Sequence, residues 1–164
     1  MQLRATLRYP ADISRVATML ADDEFVAAKV RAAGAQSHSV AVVGEPDRAF
    51  TVTTRRHVPT DDIPSHMRPL VGSSLEIRQV EAWEAPAGDE RRGTVVVEIV
   101  GTPVRLTGTL RLVGDADGGT RGELDGDVRA PVPIFGSALE EATARAVRAV
   151  VAAEERAAQA WLVG

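Results

Sequence analysis

His38, Arg56, Gln79, Glu81 and Trp83 are the side chains of this sequence whose types and positions suit chemistry. An imidazole and a carboxylate exchange protons near neutral pH, a guanidinium holds an anion through paired N–H groups, and an amide and an indole fix a ligand's orientation. Each shares the parity of the apolar residues in its segment: His38 with Val40 and Val42, Arg56 with Phe50, Val52 and Val58, and Gln79, Glu81 and Trp83 with Leu75 and Ile77. Successive strand residues point to opposite faces, so if those apolar residues face inward the five polar groups do too. Together they are the expected lining of a concave, mostly apolar ligand site. Taken singly, Arg56 and Glu81 are better explained as strand-end residues pairing across neighbouring strands at a wet rim, and only as a set do the five weigh equally towards a ligand site.

Other chemistries find less support. His57 alternates with the outward set, and His66 lies in a loop between Pro64 and Pro69. With the 3 histidines scattered and cysteine absent, disulfides, zinc-thiolate sites and thiol nucleophiles are excluded, and no metal is expected. Asp115-Ala116-Asp117-Gly118-Gly119 starts like a calcium loop, but Gly119 stands where the fifth position must supply oxygen, so a hairpin turn is expected. There is no glycine-rich phosphate loop, nucleophile elbow or paired-carboxylate motif, and no cofactor is expected. His38, His57 or Glu81 could act as a general base, yet no pattern selects one, and no catalytic residue is assigned.

The elements that must position these groups fit in one domain, residues 1–164. Hydrophobic residues make up 45% and charged residues 26%, the balance of a globular chain and not of a disordered one or a membrane span. A net charge of -4 gives no electrostatic reason to expect nucleic acid as partner. Of the 19 basic residues only Lys29 is lysine, and asparagine is absent. Arginine is spread along the chain, which reads as codon usage and not as a recognition surface. The first residues lack the apolar core of a signal peptide, so a cytoplasmic location without stable membrane insertion is expected, as monomer or homodimer.

Gln2 to Tyr9 alternates as a strand, and Pro10 ends it. Asp12 and Asp22 are positioned to cap two short helices in tandem, the second closed by Gly34. Residues 36–130 then read as six strands: His38-Val40-Val42, Phe50 to Val58, Leu75 to Trp83, Thr94 to Val100, Val104 to Val113 and Arg121 to Ala130. In the last of these, Gly122 and Gly126 leave the inner face short of two side chains, where the final helix is expected to cross. Pro59 to Gly72, with Ile63, Met67, Leu70 and Val71, reads as a packed loop or a cavity lid. Ser137-Ala138-Leu139-Glu140 is a capping-box pattern opening one long helix that runs to Leu162. Leu139, Ala142, Thr143, Ala146, Val150, Ala153, Ala157 and Trp161 fall on its expected inner stripe. Val147, Val151 and Leu162 lie at the stripe's edge, to be absorbed by a broad core-facing stripe or by a partner subunit.

The order strand, two helices, six strands, long helix gives an α+β fold, a curved seven-stranded antiparallel sheet gripping the C-terminal helix in its concave face. It resembles the START-like (SRPBCC, helix-grip) superfamily over essentially the whole chain. Gly101-Thr102-Pro103-Val104, Gly108-Thr109-Leu110-Arg111-Leu112, Pro133-Ile134-Phe135-Gly136, Leu139-Glu140 and the ending from Glu155 to Trp161-Leu162 are similar, more narrowly, to an actinobacterial family of unknown function. The superfamily resemblance implies a cavity between sheet and final helix, used by members for lipids, sterols, polyketides or plant hormones and by some for cyclisation. The leading expectation is a protein, non-enzymatic or not demonstrably enzymatic, that binds a small hydrophobic ligand there. The alternatives are a cyclase- or aromatase-like enzyme using a cavity acid or base, and a protein-interaction module with a vestigial cavity.

Overall fold

The structure, a computed structural model, describes residues 1–61 and 63–164. Asp62 and the Leu70 side chain, both in the segment read as a loop or lid, lie outside the described residues. Along the chain come β1 (Gln2–Tyr9), α1 (Ile13–Leu20), α2 (Asp23–Ala32), β2 (Ser37–Gly44), β3 (Phe50–Pro59), α3 (Arg68–Val71), β4 (Ser74–Trp83), β5 (Glu90–Ile99), β6 (Arg105–Gly114), β7 (Thr120–Arg129) and α4 (Gly136–Val163). Among the described residues the strands form one curved seven-stranded antiparallel sheet in the order β1-β7-β6-β5-β4-β3-β2. The first strand thus closes against the last, with Leu3 opposite Gly126 and Tyr9 opposite Thr120. This is the expected helix-grip arrangement.

The two short helices start and stop where their sequence directs. Asp12 accepts the Arg15 backbone N–H at 2.8 Å, and Asp22 accepts that of Glu24 at 2.9 Å, each satisfying a donor that the first helical turn leaves free. At the end of α2, Gly34 takes φ 93° and lets the Ala35 N–H reach back to the Val30 carbonyl at 3.1 Å.

The start of α4 departs from expectation. The helix begins at Gly136, so Ser137 already lies inside the first turn and makes no cap, and Glu140 instead accepts the Ala130 backbone N–H at 3.2 Å. The approach is tight: a Cβ on Gly136 would lie 2.7 Å from the Ala130 carbonyl oxygen. Just before it, Phe135 N–H bonds the Pro133 carbonyl at 2.8 Å around Ile134, which sits at φ 70° with 95% of its surface exposed. A β-branched residue in that region is strained.

At about 1.5 Å per residue, α4 is about 42 Å long, and it crosses three hydrophobic clusters in turn. Its inward arc is broader than the expected stripe and rotated from it. Ala144, Val147, Val151, Ala158 and Leu162 pack into the clusters on the sheet, so the edge residues Val147, Val151 and Leu162 belong to the core. Val150 and Trp161 turn towards α2, the indole meeting the Phe25 ring edge-on at 5.5 Å. Ala146 is exposed. The helix packs on two surfaces, and a single periodic stripe cannot represent both.

Helix α4 packs over β7 and β1, and the atoms nearest the glycine notch in β7 come from the neighbouring strands. A Cβ on Gly122 would meet Leu7 Cδ2 at 2.8 Å and Tyr9 Cε2 at 3.0 Å, and one on Gly126 would meet Leu106 Cδ1 at 2.9 Å. Neighbouring strands β1 and β6 fold their side chains across the notch. The segment after β3 carries the short helix α3, and Met67 just before it is buried against Val104, Ala130 and Leu139. In the β6–β7 turn, Asp115 and Asp117 bond the guanidinium of Arg8, and Asp115 also that of Arg121. Those carboxylates serve a hairpin turn. No described helix is long and apolar enough to cross a membrane.

Candidate functional site

Helix α2 places Lys29 on the face that carries Phe25, Val26 and Val30 inward, and the ammonium is driven into the core with them. Its Nζ lies 3.4 Å from Glu81 Oε1 on β4 and 3.3 Å from Glu154 Oε2 on α4. Glu154 is brought there by α4, three residues after Val151 and four before Ala158, on the buried arc. Tyr9, on the inward parity of β1, donates its hydroxyl to Glu154 Oε1 at 2.9 Å.

Strand β4 extends the network. Gln79 and Glu81 are two residues apart and share a face, so Gln79 Nε2 donates to Glu81 Oε1 at 2.7 Å, and Trp83 Nε1 donates to Glu81 Oε2 at 3.4 Å. From β3, Arg56 NH1 donates to Gln79 Oε1 at 3.2 Å. A continuous path therefore runs from Arg56 through Gln79, Glu81, Lys29 and Glu154 to Tyr9. It joins β3, β4, α2, α4 and β1, which no local contact does.

Burial sets the electrostatics. Around Lys29 it opposes the charged form, but the adjoining Glu154 and Glu81 carboxylates outweigh it and hold the ammonium above its usual range. Burial, with the charge of Glu154 beside it, raises the Tyr9 phenol well above 10.0, keeping its proton for the bond to Glu154. Burial lowers Arg56, against a smaller opposing effect of Glu81; a guanidinium in a protein nonetheless stays charged.

Between α2, β3, β4 and α4 lies a small cavity lined by Lys29, Val30, Ala33, Thr54, Arg56, Gln79, Val150 and Glu154. The space open to the centre of a water molecule is about 20 Å³, room for about one water. Two of its lining groups lack full partners. Thr54 is 3% exposed, and its Oγ1 is buried with no hydrogen-bond partner among the described residues. Arg56 is 5% exposed and, among the described residues, bonds only Gln79. A groove of about 440 Å³ along Arg8, Tyr9, Pro10, Asp117, Gly118, Gly119 and Gln159 is larger but open to solvent, and Arg8 and Asp117 there bond each other.

Four of the five residues singled out from the sequence thus converge. Arg56 and Glu81 are both buried and are bridged by Gln79, not paired across a wet rim. His38 stands opposite Arg56 in the β2–β3 register but is exposed on the edge strand, outside the network. His57 faces outward, 3.1 Å from Ser37 Oγ, and His66 lies exposed against Phe135. Among the described residues no group of three His, Asp or Glu is placed to hold a metal ion.

Lys29, Glu154, Tyr9 and Thr54 were not legible as site residues. One signal pointed to Lys29: it is the single lysine of a chain that otherwise uses arginine. Its compact ammonium reaches both carboxylates through a single nitrogen.

A curved antiparallel sheet holding a long C-terminal helix is the START-like, helix-grip fold. The same fold occurs in TTHA0849 from Thermus thermophilus, at 18% identity over 96% of this chain and 97% of that one, TM-score 0.62. It also occurs in a START superfamily protein from Mycobacterium smegmatis, at 13% identity over 94% of each chain, TM-score 0.57, and in protein Ms6760 from Mycobacterium smegmatis, at 17% identity over 99% and 90%, TM-score 0.57. Residues 4–162 match the family described as "Protein of unknown function (DUF2505)", and the chain belongs to that family. No curated protein matches the chain.

Proposed function

We propose that this protein is a cytoplasmic, non-enzymatic START-like binding protein that takes a small, largely apolar ligand, lipid- or polyketide-like, between the sheet and α4, without a cofactor. Arg56, Gln79, Glu81 and Trp83 serve the ligand's polar end, and His38 stands at the rim. The observation that carries the reading is the unpartnered Thr54 hydroxyl beside a buried guanidinium with one bond, both lining the same cavity. Buried polar groups are ordinarily satisfied, and a site that leaves them waiting is built to receive a partner. The closed cavity is too small for such a ligand, so binding requires α4 or α2 to move off the sheet.

The purified protein, denatured and extracted for mass spectrometry, is expected to yield a bound small molecule, and a lipid and polyketide panel is expected to raise its melting temperature. No extracted molecule and no shift across the panel would overturn the reading. The small size of the cavity favours a second one, an interaction module whose cavity is vestigial; a reproducible protein partner from a lysate, with no small ligand, would support it.

A further inference from the structure

We propose that Glu154 occupies the place of a ligand's carboxylate, and that the space it closes takes a small amphipathic monocarboxylic acid. The proposal rests on the ligand-binding reading above and adds the chemistry of the ligand's polar end.

Two cations, Lys29 and Arg56, and two carboxylates, Glu81 and Glu154, surround the cavity or join its walls, and their charges cancel. Lys29, Arg56 and Glu81 belong to α2, β3 and β4; Glu154 alone arrives on α4. With about 20 Å³ of space, enough for about one water, entry of any larger molecule must lift one of the two helices.

Helix α4 is the one held less firmly beside the cavity. Helix α2 buries Phe25, Val26 and Val30, with Phe25 partly against Trp161 near the end of α4, whereas the stretch of α4 around Glu154 buries chiefly Ala153 and Ala158 and is otherwise held by the Tyr9–Glu154 and Arg8–Glu155 hydrogen bonds. An alanine gives up far less apolar area on exposure than a phenylalanine or valine. When α4 lifts, Glu154 leaves with it, and the remaining walls carry one positive charge in excess. An uncompensated buried charge is strongly unfavourable. One ligand carboxylate restores neutrality; a neutral head group does not, and a cation worsens the imbalance.

The donors for that carboxylate are already present. The Lys29 ammonium is freed from Glu154, and among the described residues the Arg56 guanidinium has its remaining N–H groups unbonded and the Thr54 hydroxyl has no partner. Gln79 stands between Arg56 and Glu81, accepting from one and donating to the other, so the guanidinium is not consumed by its own carboxylate. Val30 and Ala33, which stay with the sheet-side wall, offer an apolar surface to the rest of the molecule.

Titration calorimetry with two series of probes tests this: 2-naphthoic acid, 2-naphthamide and 2-naphthylmethylamine, and decanoic acid, decanamide and decylamine. In at least one series the acid is expected to bind about tenfold or more tightly than its amide and amine, since the acid alone makes charge-assisted bonds. Glu154→Gln, nearly isosteric, is expected to tighten the acid further, and Arg56→Gln to erase the preference while the amide still binds. Equal or better binding of the amide or amine would overturn the proposal and leave the ligand-binding reading standing, as would an acid preference that survives Arg56→Gln. No binding of any probe to the wild type or to Glu154→Gln would overturn both. Should either variant fail to fold, the head-group series on the wild type decides.

Discussion

Lys29 Nζ lies 3.3 Å from Glu154 Oε2, joining the second helix to the last across 125 positions of sequence. Both side chains are largely buried, at 8% and 15% exposure. This contact and the one to Glu81 hold α2, α4 and the sheet together by charge in a region where α4 offers mostly alanine.

Removing the cation leaves two carboxylates facing each other in the core. Lys29→Met is expected to cost roughly 3–5 kcal/mol of folding stability, the scale for breaking a buried ion pair from one side. Lys29→Arg keeps the charge but is larger and planar, and a smaller loss of roughly 1–3 kcal/mol is expected from overpacking. Urea denaturation of both variants checks this, and a loss below about 1 kcal/mol for Lys29→Met would show that the network is solvated.

Stability should fall in strong alkali. Tyr9 and Lys29 are both raised above their ordinary values of 10.0 and 10.5. Below pH 10.0 each is protonated in the folded and unfolded chain alike, and their contribution is fully present. As pH climbs past those values the unfolded chain loses its protons first, so the contribution declines and is gone above the folded-state values. Denaturation midpoints between about pH 8 and 12, with Tyr9→Phe as comparison, are expected to show this decline and to show less of it in the variant. A flat profile would contradict the assignment.

Thr54→Val replaces the orphan hydroxyl by a methyl of the same shape. Stability is expected to hold or to rise by about 1 kcal/mol, since a buried unsatisfied group is removed. Thermal unfolding measures it. A clear loss would mean that the hydroxyl has a partner in solution, such as a trapped water.

Gly122→Ala places a methyl 2.8 Å from Leu7 Cδ2 and 3.0 Å from Tyr9 Cε2. Both neighbours must shift, and a loss of roughly 1–3 kcal/mol is expected. Because Tyr9 also holds Glu154, near-ultraviolet circular dichroism should change at the tyrosine band, which a purely local adjustment at Leu7 would leave unaltered.

Ile134 sits at φ 70° and is almost wholly exposed, so its side chain contributes no burial to offset its strain. Ile134→Gly is expected to stabilise the protein by about 1 kcal/mol. Ile134→Ala, which keeps the strain but removes the exposed apolar surface, is expected to change stability little. Equal gains from both would trace the effect to the lost apolar side chain and not to backbone conformation.

Period and turn chemistry are written along the chain, and they encode much of this fold. The inward parity of β1, β6 and β7, the aspartate caps of α1 and α2, Gly34 at the end of α2 and the order of elements all follow from residues within a few positions of one another. The same local logic placed Arg56, Gln79, Glu81 and Trp83 on one face, because parity along a strand is rigid. Which cation meets them depends on docking in three dimensions. Lys29 and Glu154 each look like ordinary charged residues in an amphipathic helix; their inward angles emerge only when α2 and α4 dock on each other and on the sheet. Side packing likewise determines what fills the β7 notch, and the tight approach of Gly136 to Ala130 leaves Ser137 capping nothing. Charge pairing across 125 positions has no periodic signature, since its energy depends on distance and burial, which the fold supplies.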